Sequence, residues 1–147
     1  MNQKYRLAIP EFPKGWMTDC NNNFYDIDPG DNISLDDKFE FIFWQEDMIQ
    51  IRNGEFLLDL GWYGQDDLDS PYCGYGLILF RGSDFKHCEL LEKYRSKSKN
   101  DVVKRIFALF DAVDKGFYEN RSGYLINEDD MSKMRISEYD PFTLLQT

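Results

Sequence analysis

The chain has one histidine, three cysteines and no apolar run of membrane-spanning length, and each shortage removes a class of function. His87 stands next to Cys88 in a stretch that reads as the start of a helix. Adjacent residues on a helix point in different directions, so the two do not form a nucleophile–base couple. Cys20, Cys73 and Cys88 are odd in number and far apart, which suggests neither a disulfide framework nor a zinc motif and points to a reduced, cytoplasmic protein. Met1–Arg6 is not followed by an apolar stretch long enough for a signal peptide. No run approaches the roughly 18 residues that span a bilayer. Basic residues are also scarce. Seventeen Lys and Arg face twenty-seven Asp and Glu, and the net charge of −10 opposes nucleic acid or an anionic membrane as direct partner.

Motifs for bound ions and phosphates are missing too. Asp26-Ile27-Asp28-Pro29-Gly30-Asp31 hints at a calcium loop, but its glycine is at position five and position twelve is Asp37 in place of glutamate. Gly61-Trp62-Tyr63-Gly64 and Gly74-Tyr75-Gly76 have neither the lysine of a phosphate loop nor the GxGxxG spacing. Glycines of this kind serve tight turns and close strand approach. No cofactor is implied.

What the chain does have is acid and aromatic rings in one stretch. Between Asp19 and Asp69 lie fourteen acidic side chains and two basic ones, Lys38 and Arg52. From Lys86 to Arg105 the balance reverses, with seven basic residues against Glu89, Glu92 and Asp101, so the remainder of the chain carries a net charge of −14. Two faces of opposite sign are expected, unless the basic run is only a solvated loop and helix start.

The length suits one domain with a core of its own. Phe39, Phe41 and Phe43 alternate with Glu40, Ile42 and Trp44, which predicts a strand. Met48–Arg52 reads as the return strand, and Asn53-Gly54 predicts a hairpin because both residues tolerate positive φ. Glu55–Trp62 follows with Phe56, Leu58, Leu60 and Trp62 on one face, and Gly74–Phe80 as a central strand ended by Arg81-Gly82. Ser83 or Asp84 opens a short helix through Tyr94. Asn100 or Asp101 caps a longer one to Lys115, with an apolar stripe of Val103, Ile106, Phe107, Phe110 and Val113 and a stop at Gly116. The expectation is an α+β fold, an antiparallel meander over about residues 38–80 covered on one face by helices of the second half. Tyr5–Ile9 reads as an edge strand, residues 10–35 as irregular, and the chain beyond about 125 as a tail.

Among possible chemistries, carboxylates are the candidates. Glu46, Asp47, Asp59, Asp66, Asp67 and Asp69 are enough for a magnesium site or a carboxylate-dependent hydrolase only if they converge in partly buried positions. Asp59 sits inside an apolar strand and needs a partner if buried. Loop acids are more often solvated, so an enzyme is not expected. The favoured site is a protein-binding edge. Trp62, Tyr63 and Tyr72 supply ring anchors, and Glu46, Asp47, Asp66, Asp67 and Asp69 steer a basic partner. Small-ligand binding by the aromatic loop and a phage-type inhibitor that mimics DNA are the alternatives.

The segment Phe56-Leu57-Leu58-Asp59-Leu60-Gly61-Trp62-Tyr63, the acidic loop after it, the strand Gly76–Phe80 and the basic-then-helical segment through Val113 resemble immunity proteins of bacterial contact-dependent growth inhibition and related polymorphic toxin systems. The resemblance spans about half the chain. It implies a small cytoplasmic protein that binds and neutralises one cognate toxin domain, often a nuclease, whose phosphate-holding face is basic.

Overall fold

Two apolar segments are paired along their length and set the frame. Strand β3 (Phe56–Tyr63) runs antiparallel to β4 (Gly74–Asp84), from Phe56 opposite Arg81 to Tyr63 opposite Gly74. In a computed structural model that describes residues 5–18, 22–28, 33–37, 47–63, 73–84 and 87–126, this pair is flanked by β1 (Met17–Thr18), β2 (Ile49–Asn53), β5 (His87–Ser96) and β6 (Tyr124–Ile126). Among the described residues the six strands form one antiparallel sheet in chain order, and helix α1 (Lys99–Asp114) lies between β5 and β6. The fold is α+β.

One face of the sheet packs on α1. Leu58, Leu60 and Trp62 of β3 and Tyr75, Leu77 and Leu79 of β4 share a core with Val102, Ile106, Leu109 and Phe110 of the helix. Leu57, Ile78, Phe80, Cys88 and Leu90 form a second buried cluster on the opposite face. Strands apolar on both faces need two covers, which is why β3 and β4 read as near-continuous hydrophobic runs.

The helix ends are chemically defined. Ser98 is the N-cap, its Oγ accepting from the Asp101 N–H at 3.3 Å, two or three residues before the expected cap. At the other end Gly116 has φ +74°, the Phe117 N–H donates to Ala112 O at 2.9 Å and the Gly116 N–H to Val113 O at 3.1 Å. These paired bonds are a Schellman stop, as the glycine suggested.

Several expectations need correction. The segment read as a helix through Tyr94 is strand β5, and β4 continues past Gly82 to Asp84. Glu, Leu, Lys and Arg are good helix formers, but pairing with β4 overrides local propensity. The alternation is also disguised by a β-bulge. Leu79 pairs with Glu92 and Phe80 with Leu90, so Leu91 is the extra residue and its side chain joins the helix-side core while Leu90 joins the other cluster. The hairpin loop is Gly54–Glu55, one residue later than Asn53-Gly54, with Gly54 at φ +59°. Tyr5–Ile9 makes a single bridge, Leu7 to Tyr25, while the edge strand β1 lies within the stretch read as irregular. The expected strand at 38–44 lies outside the described residues.

The helix stripe is rotated from its expected position. Phe110 is 5% exposed and packs 5.1 Å from Trp16, whereas Phe107 is 47% exposed. Val102, Leu109 and Ala112 are buried instead, in the same core as the β3 and β4 side chains, while Trp16 and Phe12 pack on Phe110. Phe110→Ala should therefore cost about 3–5 kcal/mol in urea denaturation, and Phe107→Ala about 1 kcal/mol or less. Equal costs would contradict this packing.

Candidate functional site

Of the expected binding edge, the described residues Asp47, Trp62 and Tyr63 fall at the end of the sheet where β2 begins, β3 stops and β4 starts. Asp47 is exposed there, its Oδ1 accepting from Gln50 Nε2 at 3.2 Å. The next residue, Met48, donates its N–H to Leu60 O at 2.9 Å, which fixes Asp47 beside the end of β3. Trp62 and Tyr63 are brought to the same end but not to the surface. Trp62 is 2% exposed and meets Tyr75 edge-to-face at 4.8 Å, and Tyr63 is 5% exposed. Both rings belong to the interior, a correction to their reading as exposed anchors. Their alternation within an apolar strand was the signal for burial. Glu46, Asp66, Asp67, Asp69 and Tyr72 lie outside the described residues; the last residue of β3, Tyr63, pairs with the first of β4, Gly74, at this end.

Tyr63 has a defined seat. Gly61 and Gly76 are opposite each other, and a Cβ on Gly76 would sit 2.9 Å from Tyr63 Cε2. The ring thus lies across the bare backbone of β4. Gly74, at φ +145°, is packed as closely, since its Cβ would be 2.9 Å from Ser96 O.

Several of the described charges are committed to partners or interior positions within the fold. Asp28 Oδ1 accepts from the Lys99 N–H at 2.6 Å and Asp26 pairs with the Lys99 ammonium, so two acids hold the start of α1. Asp37 is buried and accepts from Tyr5 Oη at 2.7 Å, and Asp59 is 2% exposed within β3. Of the basic run, Lys93 and Arg95 lie on the β5 face shared with Ile78 and Gly76, Lys97 is exposed, and the Arg105 guanidinium stacks 4.6 Å from the Tyr94 ring centre. Four of the fourteen acids between Asp19 and Asp69 are thus engaged in, or buried within, the fold.

Opposite this end lies an ion-pair hub that the sequence did not reveal. Arg81 Nε and Nη2 donate to the two oxygens of Glu89 at 3.1 Å each, while Nη1 and Nη2 donate to the carbonyls of Tyr118 and Arg121 at 2.5 Å. Glu89 Oε2 also accepts from the Gly123 N–H at 2.9 Å. A Cβ on Gly123 would be 2.2 Å from Leu90 O, so only glycine allows this approach. Nearby, Tyr118 Oη donates to buried Glu92 at 2.6 Å, and burial, followed by the Glu92 hydrogen bond and charge, raises the Tyr118 pKa. Arg81 and Glu89 face each other across β4 and β5, but their other partners are 34 to 40 residues away in sequence, beyond any local pattern.

Among the described residues no group of three or more His, Cys, Asp or Glu side chains is placed to hold a metal ion, and no helix is long and apolar enough to cross a membrane. No family model, curated protein or solved structure matches this chain.

Two outcomes test this geometry. Gly76→Ala should destabilise by about 1–3 kcal/mol through the clash with the Tyr63 ring, and the loss should shrink in a Tyr63→Leu background. Thermal melts of the two single variants and the double variant read this directly, and independent, additive losses would refute the contact. The second concerns acid. The Arg81 and Gly123 hydrogen bonds hold the Glu89 carboxyl below its ordinary pKa against a smaller opposing effect of burial. A carboxylate with a depressed folded pKa stabilises above its unfolded pKa, about 4.3, and that gain is lost as pH falls through the folded value. The stability gap between wild type and Glu89→Gln should be complete at neutral pH and close below about pH 4 in urea titrations. A gap independent of pH would mean that the charge contributes nothing.

Proposed function

We propose that this chain is an immunity-type protein that binds and neutralises a basic toxin domain in the cytoplasm, without catalysis and without a cofactor. The observation that carries the reading is the charge distribution. Setting aside Asp26, Asp28, Asp37 and Asp59, which have structural partners or interior positions, ten of the fourteen acids between Asp19 and Asp69 remain against Lys38 and Arg52. A local excess of acid of this kind raises the rate of encounter with a basic partner, and that advantage falls as salt screens it. A nuclease is the favoured target, because its phosphate-holding face must be basic. The likeness of the β3 segment and of the basic-then-helical stretch to immunity proteins supports the same direction.

The steering residues are Glu46, Asp47, Asp66, Asp67 and Asp69. Tyr72 is retained as the ring anchor, whereas Trp62 and Tyr63 act by holding the end of the sheet in shape. The test is co-expression with the toxin domain encoded beside this chain. The expected outcome is rescue of growth and co-purification of the two proteins, with association slowed when Asp47, Asp66 and Asp67 are changed to Lys and with an on-rate that falls as salt rises. Trp62→Ala should lower thermal stability more than it alters the off-rate of the folded protein. Absence of both rescue and co-purification would end the immunity reading. Rescue with an unchanged on-rate in the Lys variants would leave neutralisation standing and remove the steering surface.

A further inference from the structure

Asn100, Lys104, Phe107, Asp111 and Asp114 of α1 are all exposed, with Asp101 and Ala108 exposed beside them. At 3.6 residues per turn the first five occupy an arc of about 80°, so they form one stripe along the helix. The stripe has an apolar centre and ends of different character. Phe107 is at the middle, the cation Lys104 lies toward the N-terminus, and the acids Asp111 and Asp114 lie toward the C-terminus. We infer that this stripe is the interface of a weak, two-fold symmetric dimer of this chain, formed by antiparallel pairing of α1 with α1 of a second copy.

The spacing carries the argument. A two-fold axis through Phe107 sets each residue opposite the one at the same distance on the other side. Asn100 then faces Asp114 of the second copy, and Lys104 falls within one residue of its Asp111. Every attractive contact occurs twice, as an isologous interface requires. Neither a uniformly acidic partner nor a uniformly basic one meets both ends of the stripe as well. The Asp111 carboxylate pairs with Lys115 at 3.0 Å, but both side chains are more than half exposed, so this bond is weak enough to be shared or exchanged.

Phe107 is also held ready. Its ring meets Phe110 edge-to-face at 5.6 Å, and Phe110 is fixed by Trp16 at 5.1 Å and Phe12 at 6.4 Å. A ring already held in place gives up less freedom on docking. The helix of sixteen residues is about 24 Å long and presents one narrow face, which sets the interface at the small, transient end of the size range. This inference is independent of the neutralisation reading.

Sedimentation velocity of the full chain over a wide concentration range is the test. The wild type should show a reversible monomer–dimer equilibrium. Phe107→Asp should be monomeric throughout while keeping the wild-type circular dichroism spectrum. Lys104→Asp and Asp111→Lys should each raise the dimer Kd at least about tenfold, since each change acts twice across the axis. The combined Lys104→Asp/Asp111→Lys variant should recover dimerisation, which a merely structural role for either residue would not produce. A wild type that remains monomeric, a dimer that survives Phe107→Asp, or a double exchange that fails to recover would each overturn the proposal.

Discussion

The constraint on which the rest of this structure depends is two-sided burial of the β3–β4 pair. Leu58, Leu60 and Trp62 alternate with Leu57, Asp59 and Tyr63, and none of the six is exposed. A strand pair of this kind is stable only when both faces are removed from water, because each large apolar side chain left exposed forfeits about 1.5–3 kcal/mol. On one side α1 provides the cover, together with Trp16 and Phe24 from the N-terminal segment. The other side is also closed, around Leu57, Ile78 and Phe80. The glycines follow from the same demand, since Gly76 admits the Tyr63 ring where any other residue would push it away.

Holding a helix against such a sheet needs more than apolar contact, because the chain must also be led to and from the helix. Asp28 and Ser98 satisfy N–H groups at the start of α1, and the Schellman bonds at Ala112 and Val113 close its end. Beyond the stop, Arg81 takes over. Its planar, five-donor group can satisfy Glu89 and two carbonyls at once, which a lysine could not reproduce. The return to β6 is therefore fixed from within the sheet, with Gly123 passing close enough to Leu90 O that a side chain has no room. Charge in this molecule is in part an instrument of chain routing.

How much of this could be read from the sequence follows physical range. Strands β2 and β3, the core of β4, and α1 with its glycine stop were legible because alternation, a helical period and Gly116 are local signals. β5 was not, because the bulge at Leu91 shifts the alternation and its residues favour helix in isolation. β1 and β6 are two and three residues long, too short to carry a period. The side of α1 facing the sheet was misjudged at Phe107 because one helix offers several apolar positions, and only its docking on the β3–β4 core selects among them. Of the candidate site, the position of Asp47 at the end of the sheet was legible from strand order. The burial of Trp62 and Tyr63 was written in the same alternation that defined β3, but their residue types suggested a contact surface instead.

That substitution of composition for position bears on acidic proteins generally. A count of carboxylates gives the field felt at a distance, which depends on net charge and screening. It does not give the contact surface, which depends on which carboxylates keep their hydration in the folded state. Here Asp26 and Asp28 are committed to the start of α1, Asp37 to Tyr5, and Glu89 to Arg81 and Gly123, each bond lowering the freedom of that group to meet a partner. The field felt at a distance survives these commitments, because pairing within the chain leaves the sum of its charges at −10. Short-range recognition does not survive them, since a carboxylate already bonded must break that bond to make another. The whole acidic excess thus sets the field felt at a distance, and only carboxylates that stay exposed and hydrated in the folded state add contacts at short range.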